Sequence, residues 1–187
     1  MNTPNKLTLL RICLVPVFLV FFLCGGIPLH NLWALLVFAA ASVTDALDGH
    51  IARSRNLITD FGKFLDPVAD KVLVFAALIA FIDLKWASSV AVIIMVAREF
   101  LVSSLRMVAA GNGTVIAAGK LGKVKTAVTM ASIVTVLVLA AVMDCGVWTE
   151  LPIGAVSSWL VWISAVITVI SGIEYLWKNR SQFNSSK

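Results

Sequence analysis

Residues 12–44 contain no Asp, Glu, Lys or Arg, and residues 126–143 and 151–173 are free of the same charges. A helix that crosses the hydrocarbon core of a bilayer needs about 20 apolar residues. The first run is too long for one such helix, and Gly25-Gly26-Ile27-Pro28 divides it in two. The middle of the chain is less apolar. Only eleven uncharged residues separate Lys71 from Asp83, and only twelve separate Lys85 from Arg98. Each becomes a span only if charge enters its ends. The pattern predicts helices over 8–29, 32–53, 64–83, 86–108, 122–143 and 153–177. The expectation is an all-α integral membrane protein, one domain over 1–187 with six transmembrane helices and no room for a soluble domain. Composition agrees. Hydrophobic residues make up 60% and charged residues 13%, against about 45–50% and about 25% in soluble domains. A water-soluble globule and a disordered chain are both excluded.

The basic residues set the orientation. With six spans starting on the cytoplasmic side, every Lys and Arg of the 15 falls on the inner face except Lys85. Both termini are therefore expected in the cytoplasm. Trp33, Trp86 and Trp148 fall near outer ends and Trp177 near an inner one, as in an aromatic belt. The net charge of +5 then lies on one face, where it suits anionic lipid or phosphate. No soluble domain presents it to nucleic acid. The first apolar run lacks a small-residue cleavage pattern and reads as a span, not a signal peptide. Cys13, Cys24 and Cys145 have no CxxC spacing and no His partner, so they read as small apolar residues.

Ionisable groups inside a membrane protein are costly and point to function. Asp45 and Asp48 stand i, i+3 near the inner end of the second span. Asp66 and Asp70 stand i, i+4 at the start of the third. Each spacing puts a pair on one helix face. A short loop joins the two helices, so four carboxylates converge at one depth and repel one another unless a cation joins them. An all-carboxylate set without His or Cys fits one or two Mg2+ or Mn2+ ions and not zinc. Arg53, Arg55 and Lys63 in the connection suit phosphate oxygens. Metal ligands and phosphate binders at a membrane surface point to phosphoryl-group chemistry on a lipid. Blander readings exist for each part. Asp66 before Pro67 also reads as an N-cap with proline at the first helical position. Asp45 and Asp48 also read as ion-pair partners of Arg53 and Lys71, and Gly49 and Gly62 as packing glycines. A divalent-cation carrier would use the same carboxylates, but it needs them near the midplane with a polar path to the outside.

Taken together, the residues form one pattern: Asp45-Ala-Leu-Asp48-Gly49-His-Ile-Ala52-Arg53, eight residues, Gly62, three residues, Asp66, three residues, Asp70. It resembles the signature of the CDP-alcohol phosphotransferase family at all eight fixed positions and both long spacings. The resemblance implies that family's six-helix membrane fold, a homodimer, and transfer of a phosphatidyl or phosphoalcohol group from a CDP-linked donor with release of CMP. Carried over by position, Asp45, Asp48, Asp66 and Asp70 resemble the ligands of a two-metal site. Asp70 also resembles the base that deprotonates the acceptor. Gly49, Ala52, Arg53 and Gly62 resemble the nucleotide pocket. His50 occupies a variable position of the signature, and His30 falls in an outer loop. Neither is assigned a role.

Further segments resemble members of the family that join CDP-diacylglycerol to sn-glycerol 3-phosphate. They are Pro4-Asn5-Lys-Leu-Thr8-Leu-Leu-Arg11, Phe64-Leu65-Asp66-Pro67-Val-Ala-Asp70-Lys71, Ala97-Arg98-Glu99-Phe100 through Arg106, and Gly122-Lys123-Val-Lys125-Thr126. By that likeness Asn5 and Thr8 touch the nucleotide, and an interfacial helix cap is the plainer reading of both. An acceptor with its own phosphate needs a second cationic pocket. Arg98 and Arg106, two turns apart on the fourth span, and Lys123 and Lys125 at the start of the fifth can supply it. Glu99 is then an orienting partner for one of these bases. Serine, phosphatidylglycerol and inositol phosphate remain alternative acceptors. A neutral or zwitterionic acceptor leaves that basic cluster without a purpose, whereas inositol phosphate also carries a phosphate. The expected setting is the inner membrane of a bacterium, with the site on the cytoplasmic side.

Overall fold

The computed structural model describes residues 3–55, 60–111, 119–148 and 150–180, with side chains for these except 3–6, 45–55, 60–67 and 70. Every regular element among the described residues is an α-helix. In order they are α1 (Thr3–Leu23), α2 (His30–Arg55), α3 (Asp60–Asp83), α4 (Ser89–Gly111), α5 (Lys120–Asp144) and α6 (Ile153–Lys178). Helices α5 and α6 are each long and apolar enough to cross a membrane, and Leu7–Leu23 and His30–Thr44 are shorter apolar helical stretches.

Two helices, α1 and α3, differ most from the sequence expectation. The first helix runs from Thr3 to Leu23 and not from 8 to 29, so it stops before Gly25-Gly26. Two adjacent residues of high backbone entropy end a helix more readily than apolar patterning extends it. Helix α3 starts at Asp60. Asp66 and Pro67 therefore lie past its first turn, and Asp66 is not the N-cap. Proline has no N–H to donate, so the carbonyl one turn earlier lacks its usual partner there.

The chain divides into two compact units. The first comprises Met1–Asp83 and Ile133–Ile153. In it α1 packs on both α2 and α3. The buried positions of α1 are Thr8, Arg11, Val15, Phe18 and Phe22, one stripe at helical spacing. Phe18 stacks on Phe22 with centroids 5.5 Å apart. Phe18 also meets Phe38 of α2 at 5.6 Å, and Phe22 meets Phe81 of α3 at 5.7 Å. Such aromatic pairs add specific attraction to the area they bury. Buried alanines at 34, 41, 69, 77 and 80 let the backbones come close around these rings. The last turns of α5 join this unit through Asp144. Its carboxylate accepts the Asn31 backbone N–H at 2.8 Å and the Asn31 side-chain N–H at 2.9 Å. One helix thus caps the start of another.

The second unit comprises Leu84–Ser132 and Gly154–Lys187. Helix α6 is inverted relative to a soluble helix. Its buried stripe includes Ser157, Ser164, Thr168, Ser171 and Tyr175, while Trp159, Ile163, Val166, Ile170 and Ile173 are exposed. Trp159 is 72% exposed. In water this arrangement would be costly on both faces, whereas in lipid the large apolar side chains face their preferred solvent. Ser164 bonds Ser132 of α5 at 3.0 Å and donates to its own Leu160 carbonyl at 2.9 Å, so polar groups hold the helices together.

Candidate active site

The signature residues stand on two helices of the first unit. Asp45, Asp48, Gly49, Ala52 and Arg53 are on the last turns of α2, and Gly62, Asp66 and Asp70 on the first turns of α3. Both aspartate pairs lie on unbroken helical backbone, so each keeps the shared face that its spacing requires. The side chains of these residues, and of Asn5, lie outside the described residues.

Ring contacts set the register of the helices that carry them. Phe18 of α1 faces Phe38 of α2, and Phe21 faces Trp33 at 6.3 Å, so α1 and α2 run antiparallel. Arg11 lies seven positions before Phe18, and Asp45 seven after Phe38. Equal rise per residue sets these two at one level. Helix α3 returns after residues 56–59 with Phe81 against Phe22. Arg11 and Asp70 each lie eleven positions before those rings and share that level too. Arg11 is 1% exposed and Thr8 fully buried. A guanidinium so buried needs anionic company. By sequence Arg11 is an inner-face charge and the last residue of the N-terminal segment, with no partner assigned. Its place one turn after Thr8 on the helix stripe was the signal available.

The other predicted cations lie in the second unit. Arg98 is largely buried, and its Nη1 donates to Glu99 Oε1 at 2.8 Å. Its Nη2 donates to Ser171 Oγ of α6 at 2.8 Å. Lys125 of α5 donates to the same Glu99 oxygen. Glu99 thus ties α4 to α5 and serves two bases, where its position beside Arg98 predicts one. The Arg98 stem lies against α6 at Gly172, where an added Cβ would come 3.0 Å from Arg98 Cγ. Arg106 places its guanidinium carbon 5.3 Å from the centre of the Tyr175 ring, a cation–π distance. Lys123 is exposed and takes no part among these contacts. It is two residues from Lys125 on a helix, and that spacing faces different ways. So Arg98 and Lys125 come together through Glu99, Arg106 joins α6 at Tyr175, and Lys123 stands apart.

Among the described residues no three His, Cys, Asp or Glu form a metal-binding group. The donor set that suits a metal is the four-aspartate set of α2 and α3. Oxygen-only carboxylates at one helical level match a hard divalent cation by chemistry.

A membrane helix bundle with an aspartate-rich helix pair and a separate buried basic cluster defines a class of lipid-modifying enzyme. The chain belongs to the CDP-alcohol phosphatidyltransferase family, whose pattern it matches over residues 1–170. It is similar to CDP-diacylglycerol--glycerol-3-phosphate 3-phosphatidyltransferase of Bacillus subtilis, with 41% identity over 99% of this chain and 98% of the relative. The like-named proteins of Rickettsia bellii (37%, over 93% of each chain) and Shigella flexneri (38%, over 94% of this chain and 93% of the relative) are similar along nearly the same length.

Proposed function

We propose that this protein transfers the phosphatidyl group of CDP-diacylglycerol to sn-glycerol 3-phosphate, forming phosphatidylglycerol phosphate and CMP. The observation that carries the reading is the likeness to the Bacillus subtilis transferase along almost the whole of both chains. The protein acts as a six-span enzyme of a bacterial inner membrane, with both termini and the active site on the cytoplasmic side. The one-sided distribution of Lys and Arg supports that orientation. A homodimer is the assembly that the family implies.

Asp45, Asp48, Asp66 and Asp70 hold Mg2+ or Mn2+, two ions in this reading. Bound divalent ions would draw charge from the diphosphate and ease departure of CMP. Gly49, Ala52 and Gly62 leave room for the cytidine and for the diphosphate to approach the backbone. Arg53 neutralises phosphate charge, and Asn5 and Thr8 contact the nucleotide. Asp70 takes the proton of the acceptor's primary hydroxyl. The oxygen attacks the β-phosphorus in line as its bond to CMP breaks. Neither Ser nor Cys is needed as nucleophile, so no covalent intermediate with the protein forms. Arg98, Arg106, Lys123 and Lys125 receive the phosphate of the acceptor, and Glu99 orients Arg98 and Lys125.

The test is CMP release by purified protein given CDP-diacylglycerol and Mg2+, with and without glycerol 3-phosphate. Release that requires glycerol 3-phosphate and stops with EDTA is expected. Release with inositol phosphate, serine or phosphatidylglycerol instead would keep the reaction class and replace the acceptor. Silence with every acceptor, in folded protein with Mg2+ or Mn2+, would defeat the reading.

A further inference from the structure

The second unit holds hydrogen-bond donors that its helices leave unused. Arg98 Nε, Arg106 Nε and the Tyr175 hydroxyl are all buried and without a partner. Tyr175 is 6% exposed and is the one tyrosine of the chain. A buried hydroxyl without a partner is costly, and so is a buried guanidinium N–H. Such groups are tolerated where a ligand or water completes them.

These donors are also near one another along the helices. Arg98 and Arg106 lie eight residues apart on α4, about 12 Å of rise. Their contacts on α6 are Ser171 and Tyr175, four residues apart, or about 6 Å. Helical side chains lean toward the N-terminus, so Arg106 reaches back toward Arg98. The two guanidinium groups therefore approach within about a turn of α6. Lys125 adds a third cation, and Glu99 is the carboxylate that Arg98 and Lys125 share. Three cations against the one carboxylate Glu99 leave this cluster net positive, and Glu174 beside Tyr175 is paired with Lys178, so the cluster favours an anion over a cation.

We propose that the Tyr175 hydroxyl is a specificity-determining contact to a phosphate monoester, completing on α6 the anion site of Arg98 and Arg106. Ser171 and Gly172 act as positioning residues: Ser171 holds Arg98 Nη2, and Gly172 lets the Arg98 stem lie on the α6 backbone. The identity of the monoester, glycerol 3-phosphate, rests on the function proposed above. Three donors that one phosphate oxyanion can satisfy together would also discriminate strongly. An acceptor without a phosphate leaves all of them buried and unpaired.

The test compares the full-length wild type with Tyr175→Phe, which keeps the ring under Arg106 and removes one oxygen. Both are studied in lipid nanodiscs. Inorganic phosphate is first titrated at constant ionic strength without CDP-lipid, and its apparent Kd read from the rise in melting temperature. Then KM for glycerol 3-phosphate, KM for CDP-diacylglycerol and kcat are measured by CMP release. The variant should weaken phosphate and raise KM for glycerol 3-phosphate, each about tenfold. Its kcat and its KM for CDP-diacylglycerol should stay within about twofold. Unchanged phosphate Kd and glycerol 3-phosphate KM would overturn the assignment. So would a variant that melts early or fails to fold, since the hydroxyl would then be structural. If phosphate binding depends on Tyr175 while the wild type ignores glycerol 3-phosphate, the anion site stands and the acceptor reading falls. If free phosphate binds through Tyr175 but turnover with glycerol 3-phosphate does not depend on it, the site takes the free ion, and the monoester contact is wrong.

Discussion

In the proposed mechanism Asp70 takes a proton from an alcohol, and an ordinary carboxylate of pKa ~4 is a weak base for that step. A positioned base contributes about 10²- to 10⁴-fold. Asp70→Asn keeps the shape and removes the basicity, so turnover should fall by about that factor while CDP-lipid binding survives in part. CMP release and direct CDP-diacylglycerol binding check the two halves, and near-normal turnover would remove Asp70 from the role of base. Residues of this kind were legible because their spacing is local. Asp45 with Asp48, and Asp66 with Asp70, declare a shared face within one turn each. Ser171 and Tyr175 were not legible in the same way. Each acquires meaning from an arginine about 70 positions earlier. A serine and a tyrosine in an apolar helix otherwise read as packing. Lys123 and Lys125 were indistinguishable by sequence, and only the placement of Glu99 separates them.

At the scale of elements, Asp144 shows how a helix end is satisfied from a distance. The start of α2 carries backbone N–H groups with no partner inside the helix. The carboxylate at the end of α5 accepts from Asn31 twice, with His30 Nε2 3.8 Å from the same group. Asp144→Ala should remove both bonds and cost about 2 kcal/mol. The expected result is a melting temperature lowered by several degrees in detergent, with kcat at low temperature close to the wild type. An unchanged melting curve would show that water replaces the cap at no cost. The extents of the central and C-terminal helices were legible to within a few residues, because apolar runs bounded by charges leave little choice. The start of α3 was not. Asp66-Pro67 carries strong N-cap chemistry, yet the helix begins at Asp60 and runs through it.

Among the described residues many large apolar side chains are exposed, as on α6, while Ser157, Ser164, Thr168, Asn31 and Arg11 are buried. That inversion is the physical signature of a bilayer as solvent. The orientation can be read with thiols. Cys24 follows the end of α1, Cys145 follows the end of α5, and both are exposed. With both termini in the cytoplasm, a membrane-impermeant maleimide should label Cys24 and Cys145 in intact cells, as measured by mass shift. Cys13, within apolar α1, should stay unlabelled. Labelling of Cys24 and Cys145 only after the membrane is opened would reverse the topology.

The linear chain by itself determined the all-helical, strongly apolar character, the six helices of the described residues and the aspartate pattern of the family. Each of these depends on runs and spacings a few residues long, which local sequence encodes completely. Tertiary structure alone decided which charges share a partner. It put Arg11 in the core of the first unit beside the aromatic spine, joined Arg98 to Lys125 through Glu99, and left Lys123 exposed. The reason is that a side chain's free energy in a membrane protein depends on what faces it across a helix interface. That neighbour comes from packing and register, and composition does not specify it.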